Sequence, residues 1–182
     1  MSETLPMFPL GTVLLPGSVL PLHIFEERYR RLVRACLAGD RRFGVTLIAR
    51  GSEVGGGDSR TGVGVVATIM EEVEFDDGRW AIAVLGTDRV RVLRWLADDP
   101  YPSAEVELWA DAPSSPVSRS RITVIAELLG EVTSMSIALG EQVAQVPDRL
   151  PADPTGLSYA LLASSPLGTI GAEQIESIDG AD

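Results

Sequence analysis

The segment from Phe8 to Val45 constrains the fold of this chain more than any other part of the sequence. An apolar extended segment, Met7–Leu15, ends at Pro16-Gly17, a dipeptide that strongly favours a turn. The next apolar stretch, Val19–Phe25, is kept out of a helix by proline. A helix is then predicted to begin near Glu26, since acidic residues in a first turn favour the helix dipole. This order of elements predicts a fold that mixes strands with a helix.

The predicted helix is amphipathic, with apolar residues spaced at threes and fours. Gly39 stands where a helix-capping glycine belongs. The arginines of this segment fall mostly away from the apolar stripe, so the helix should bury one face and solvate the other. The predicted stripe consists of Phe25, Tyr29, Leu32, Val33, Cys36 and Leu37.

The middle of the chain has the short alternating segments and tight turns of β-structure. Turns are predicted at 76–78 and 86–88, where glycine lies beside aspartate. With the first extended segment these make about six short, mainly antiparallel strands, which favour a small, partly closed barrel with one intervening helix. The fold class is therefore α+β. The other predicted strands are 43–49, 61–73, 79–85, 89–96 and 104–109.

The last third of the chain changes character after a linker rich in proline and serine at 111–117. Apolar residues at helical spacing predict a long helix at about 119–146, which Pro147 stops. Asp153 is a good N-cap for a short helix, and a last helical turn is predicted at 172–178. We therefore expect a barrel at 1–112 and a helical segment at 113–182, whose apolar stripe offers a surface for homo-oligomer formation.

Six segments of the first hundred or so residues together resemble the N-terminal substrate-binding domain of Lon-type proteases, most strongly its stand-alone bacterial versions. They occur in the family's order. Glu27 departs from the pattern, because the family usually has proline after Phe-Glu. The matching segments are FPLGTVLLPG, LPLHIFEERYRRLV, GDRRFGV, GVGVVATI, DGRWAIAVLGTDRVRVL and YPSAEVE.

The resemblance implies a PUA-like barrel that recognises exposed or unfolded polypeptide segments. It also implies an adaptor in protein quality control that serves a separate ATP-dependent protease. All fifteen basic residues are arginine. A Walker A loop needs a lysine, and so does the serine–lysine dyad of Lon proteolysis. The sequence thus predicts a non-catalytic protein without ATPase or protease machinery in this chain.

Other chemistry is sparse, and no cofactor, metal or catalytic residue is predicted. His23 is the only histidine and Cys36 the only cysteine, which excludes a multi-His or multi-Cys metal site. Both are expected to be structural, Cys36 on the apolar helix stripe and His23 within an apolar segment. Gly55–Gly57 is expected in a surface loop, and the acids at 71–77 at a solvated hairpin. Trp95 is the weak candidate for contact with a ligand or peptide.

The formal net charge of −11 disfavours nucleic acid as a partner, because such affinity comes largely from phosphate neutralisation. RNA binding would require the arginines of the helix to form an uncompensated basic surface. The sequence has no segment apolar enough to span a bilayer and no apparent secretory signal, so a cytoplasmic location is expected. A small-molecule or signalling receptor on the same barrel is the main alternative function, ahead of an enzyme of unrecognised type and of RNA binding.

Overall fold

The computed structural model describes residues 2–50, 59–111, 118–140 and 151–165. The chain divides into two compact units, Met1–Ala110 and Asp111–Asp182. The described residues of the first unit form six strands and one helix, as the sequence predicts for a barrel with an intervening helix. Its elements are β1 (Ser2–Leu10), β2 (Val19–Ile24), α1 (Glu27–Ala38), β3 (Arg42–Arg50), β4 (Ser59–Glu74), β5 (Trp80–Trp95) and β6 (Ser103–Leu108).

Five of the strands close into a ring. The sheet order is β2-β5-β4-β3-β1-β6, and an additional pairing of β6 with β5 closes the ring of β5, β4, β3, β1 and β6. β1 pairs with β3 in parallel, whereas the other ladders are antiparallel. The expectation of a small, mainly antiparallel barrel is confirmed, and β2 lies outside the ring as an extra strand on β5.

The turn predicted at 86–88 is wrong, because β5 continues through it as one strand of 16 residues. Its first half pairs with β2 and its second half with β6. Gly86 lies at the change of partner, where a Cβ would collide with the carbonyl oxygen of Leu15. Glycine here permits a close approach of two backbones instead of a turn.

β1 also differs from its predicted position, since it occupies Ser2–Leu10 instead of 7–15. Ser2 to Pro6 pairs with β6, and Met7 to Leu10 pairs with β3. Leu14 and Leu15 are buried although they follow the strand. The two leucines extend the apolar run beyond Leu10 because the loop that contains them is buried. This continued run led to the prediction of a longer strand.

Helix α1 covers the largest core cluster, with Tyr29, Leu32, Val33 and Cys36 buried as predicted. The ring of Tyr29 stacks on Phe8 at a centroid distance of 4.0 Å. Phe25 is an exception, because the helix begins at Glu27 and leaves this side chain 56% exposed. A second core cluster fills the interior of the ring with Leu5, Met7, Val66, Val90, Ala104 and Val106.

The second unit contains α2 (Arg119–Ala138) and α3 (Pro154–Ala163). Asp153 caps α3 as predicted, accepting a hydrogen bond from the Gly156 N–H at 2.7 Å. α2 ends at Ala138, before the predicted 146, and Gly140 adopts a left-handed conformation with φ of 83°. The described helices include none long and apolar enough to cross a membrane.

Several predicted features lie outside the described residues. They are the glycine-rich loop at 55–57, nearly all of the linker at 111–117, the end of the long helix with Pro147, and the helical turn at 172–178. The residue ranges proposed as domains, 1–112 and 113–182, remain an interpretation of the sequence.

Candidate functional site: the open edge of the barrel

Strand β2 is an edge strand, since it pairs only with β5 among the described strands. The carbonyl oxygen of Ser18 accepts a hydrogen bond from the Gly86 N–H at 2.9 Å. Backbone groups alternate in direction along an antiparallel ladder. Those of Val19, Pro21 and His23 therefore face the open edge. Proline lacks an N–H, and an edge strand tolerates it on this side.

A cavity of about 160 Å³ lies beside this edge. An apolar cavity of about this size can hold a benzene-sized group. Phe8, Leu10 and Tyr29 are buried and give its wall an apolar character. The remaining lining residues are Pro21, Leu22, His23, Ile24, Phe25 and Glu26, contributed by β2 and the start of the helix.

The rim of the cavity combines an exposed aromatic ring with a carboxylate whose charge is compensated by an arginine. Phe25 is 56% exposed although it is a large apolar residue. The Arg28 Nε donates to the Glu26 carboxylate at 3.0 Å, and the same guanidinium lies 4.4 Å from the centroid of the Tyr29 ring. The cavity mouth thus offers apolar contact with little net charge.

The outward face of β2 continues the apolar surface. Val19 is 65% exposed, and Pro21 and His23 are also exposed. His23 and Pro21 stand opposite Ala81 and Ala83 of β5. His23 is exposed because strand alternation directs it to solvent, and its structural role stays a prediction.

Cys36 and His23 do not form a nucleophile pair of the kind seen in thiol enzymes. Cys36 is buried, and its thiol donates to the Arg42 carbonyl oxygen at 3.2 Å. Burial, with a smaller effect of nearby Asp40, raises the pKa of Cys36 to about 12. The thiol is therefore protonated at neutral pH and behaves as a small buried side chain, as the helical pattern predicts.

The arginines of the helix and the following turn are matched by acids. Two of the partners, Glu72 and Glu74, come from the acidic segment before the β4–β5 hairpin. This pairing compensates much of the basic charge of the helix, and the absence of a nucleic-acid partner stays a prediction. The pairs are Arg28–Glu26, Arg30–Glu27, Arg31–Glu27, Arg34–Glu74, Arg41–Glu72, and Arg42 with both Glu3 and Asp40.

The acidic segment thus forms ion pairs with arginines of α1 and of the turn that follows it. Asp77 is likewise held by Arg79, whose backbone and side chain both donate to it and lower the pKa of its carboxyl group. Within the described ranges, no group of three or more histidine, cysteine, aspartate or glutamate residues is placed to hold a metal ion.

Trp95 lies at the end of β5, at the other end of that strand from the cavity. It pairs with Ala104 of β6 and packs partly against the interior of the ring. The Arg60 guanidinium covers its ring at 4.5 Å and is held by Asp98 at 2.6 Å. Trp95 is not among the residues that line the cavity, and its contact with a ligand stays a prediction.

Sequence reasoning missed Phe25 as a surface residue and the cavity as a site. Phe25 shares the helical period of the buried stripe, so its spacing concealed its exposure. Pro21 was the available signal for the edge, because proline inside a strand pattern indicates an edge strand. The cavity itself had no such signal, since it is assembled from β1, β2 and α1.

Comparison with known proteins gives a consistent set of relatives. The family model for the ATP-dependent protease La (LON) substrate-binding domain matches residues 4–170. Lon protease 2 of Herpetosiphon aurantiacus is 30% identical over 152 residues, covering 82% of this chain and 17% of that protein. Lon protease of Dictyoglomus thermophilum is 33% identical over 107 residues, covering 58% and 14%. The chain thus spans about a sixth of the length of these relatives.

Two solved structures extend the comparison. A Lon N-terminal domain protein from Xanthomonas campestris is 27% identical, with a TM-score of 0.70 over 98% of this chain and 92% of that one. The N-terminal domain of a Mycobacterium avium complex Lon protease is 20% identical, with a TM-score of 0.56 over 97% and 91%. The second likeness shows the fold alone.

Proposed function

The chain belongs to the Lon substrate-binding domain family, and from this membership we propose that it binds exposed or unfolded segments of other polypeptides at the cavity beside β2. The family supports a role in substrate recognition. The observation that carries the location is the partly apolar cavity that opens at the edge of β2, a strand paired with β5 alone among the described strands. Binding sites of this kind are concave, largely apolar and bordered by a few polar groups.

Phe25 is the side chain on which this proposal depends most. It is exposed at the rim of a cavity whose wall is buried and apolar. Aromatic residues at the centre of a contact commonly account for much of its binding energy. In a folded protein the large apolar residues that would fill the cavity are mostly buried, so an unfolded segment is the ligand that presents them.

The proposed role is that of a non-catalytic adaptor in cytoplasmic protein quality control. The sequence contains no lysine, so neither a Walker A lysine nor a serine–lysine dyad occurs in this chain. In this role a separate ATP-dependent protease degrades the bound polypeptide. Purified protein should show no ATP hydrolysis, and measurable hydrolysis that copurifies with the chain would contradict this role.

The direct test is fluorescence anisotropy with a labelled disulfide-containing model protein, either reduced and unfolded or native. We expect binding of the unfolded form only. Phe25→Ser should weaken that binding about tenfold, which corresponds to about 1.4 kcal/mol. Phe75→Ser is the matched control, because Phe75 is 44% exposed and does not line the cavity. Equal effects of the two substitutions, or equal binding of native and unfolded protein, would contradict the proposal.

A small apolar compound is the second candidate ligand, and the cavity volume favours it, since about 160 Å³ suits a single ring. A receptor of this kind would be stabilised by a compound in a thermal-shift screen and would not bind unfolded protein. That combination of results would identify the ligand of this cavity as a small molecule instead of a polypeptide.

We propose self-association through the helical segment as a separate property. α2 exposes several large apolar side chains, which an interface would bury. Sedimentation of the chain with Leu128→Glu should show less association than the unaltered chain, and an unchanged monomer in both cases would contradict this proposal. These side chains are Val124, Ile125, Leu128, Val132, Met135 and Ile137, followed by Leu139 at the C-cap.

A further inference from the structure

We infer that the bound polypeptide segment adds to β2 as a further strand, with one large apolar side chain in the cavity. This inference rests on the proposed function and specifies how it is carried out. In the strand-addition mode of recognition, main-chain hydrogen bonds supply affinity, and pockets for alternate side chains supply specificity. The barrel unit places both elements side by side at the β2 edge.

The open edge offers a set of backbone groups with a definite order. Val19 and His23 each direct an N–H and a C=O outward, whereas Pro21 directs only a C=O. No hydrogen bond from another described residue reaches these groups. A guest strand therefore meets two donors and three acceptors along five residues. The excess of acceptors favours a guest whose own N–H groups are available, as they are in an unfolded segment.

Side chains alternate across the same edge. Leu20, Leu22 and Ile24 point toward the core, and Val19, Pro21 and His23 point to solvent. A guest strand must keep this alternation, because neighbouring strands share one pleat. Leu22 lines the cavity, so the guest residue beside it also points inward and reaches the cavity. That residue is the apolar anchor.

The occupant is a segment of another polypeptide, not a second copy of this chain. Pairing β2 with another β2 would place Pro21 in both edges, and each would lack that N–H. An extended segment of another polypeptide does not meet this obstacle, and the formal net charge of −11 favours a basic one.

The test uses a peptide of about ten residues that alternates valine and lysine around one central phenylalanine, with the phenylalanine fixing the register. Single N-methyl groups are introduced along its backbone. We expect a loss of about tenfold or more in affinity at every second residue near the phenylalanine, and less than twofold at the residues between. Sensitivity at the lysines indicates an antiparallel guest, and sensitivity at the valines a parallel one.

Two controls separate this inference from the proposed function. Replacing the phenylalanine by alanine should weaken binding about tenfold, since the cavity loses its anchor. Uniform tolerance of N-methylation by a peptide that binds would overturn strand addition while leaving polypeptide recognition in place. Failure of both the peptide and unfolded proteins to bind would overturn the proposed function and this inference with it.

Discussion

The two halves of β5 have different surroundings. The second half belongs to the closed ring, since it pairs with β6 from Val90 to Trp95 and with β4 from Arg89 to Arg91. The first half, from Trp80 to Leu85, pairs with β4 and β2. It forms an arm of three strands, completed by Ile69–Glu74 of β4, that ends in the open edge of β2. One strand therefore joins a closed ring to an arm whose last strand, β2, pairs with β5 alone among the described strands.

Side-chain packing follows the same division. The ring interior is filled by six buried apolar residues, of which Met7, Val66, Val90, Ala104 and Val106 are fully buried. At the arm, the meeting of β2 with β1 and α1 leaves an apolar cavity. We therefore assign stability to the closed ring and, under the proposed function, recognition to the open arm.

The largest expected effect comes from the ring. Met7→Ala removes a fully buried side chain from the ring interior and should lower the free energy of unfolding by about 2–5 kcal/mol. Chemical denaturation measures this change. Affinity of the remaining folded protein for an unfolded polypeptide should stay within about twofold. A large loss of affinity without loss of stability would contradict the assignment of stability to the ring and of recognition to the arm.

An intermediate effect is expected from filling the cavity. Leu22→Phe adds volume at a residue that lines the cavity and should weaken polypeptide binding about tenfold, or about 1.4 kcal/mol. Leu20→Phe is the matched control, because Leu20 lies on the same face of β2 and does not line the cavity. Overpacking can reduce the stability of either variant by about 1–3 kcal/mol, so affinities are compared per folded protein. Equal affinities would contradict the assignment of the cavity.

The smallest effect concerns the charges beside the ring. Arg42 donates to Asp40 at 2.8 Å and to Glu3 at 3.0 Å, and the bond to Asp40 lowers the pKa of that carboxyl group. A lowered pKa in the folded state stabilises the protein above the ordinary pKa of aspartate, and this stabilisation is lost as the pH falls. Asp40→Asn should therefore cost less than about 1 kcal/mol at pH 7, since the pair is largely exposed.

The pH dependence distinguishes this effect from a packing defect. Denaturation at a series of pH values should show the difference between Asp40→Asn and the unaltered chain shrinking as the pH falls below the ordinary aspartate range. Polypeptide binding at pH 7 should be unchanged, because Asp40 does not line the cavity. A difference that persists undiminished at low pH would contradict the role of the ion pair.

Sequence patterns predicted the elements that depend on local spacing. The stripe of α1 and the cap of α3 follow from residues within a few positions of each other. The segment 86–88 has the composition of a turn, yet pairing with neighbouring strands keeps it extended. This outcome depends on distant residues such as Leu15, which the local pattern does not contain.

The candidate site was less predictable for the same reason. Pro21 indicates an edge from sequence, but the cavity needs Phe8, Leu22 and Tyr29 from three separate elements. The family resemblance predicted recognition of polypeptides without indicating a surface. Trp95, chosen for its place at a strand end, lies under Arg60 instead of beside the cavity.

Amide hydrogen exchange of the edge strand, followed by NMR, tests the account most directly. In the free protein the N–H groups of Val19 and His23 should exchange quickly, whereas those of Leu20 and Leu22, which face β5, should be protected. Saturation with an unfolded polypeptide should slow exchange at Val19 and His23 and leave the other two unchanged. Unaltered exchange at Val19 and His23, with new protection elsewhere in the chain, would contradict the open arm as the recognition surface.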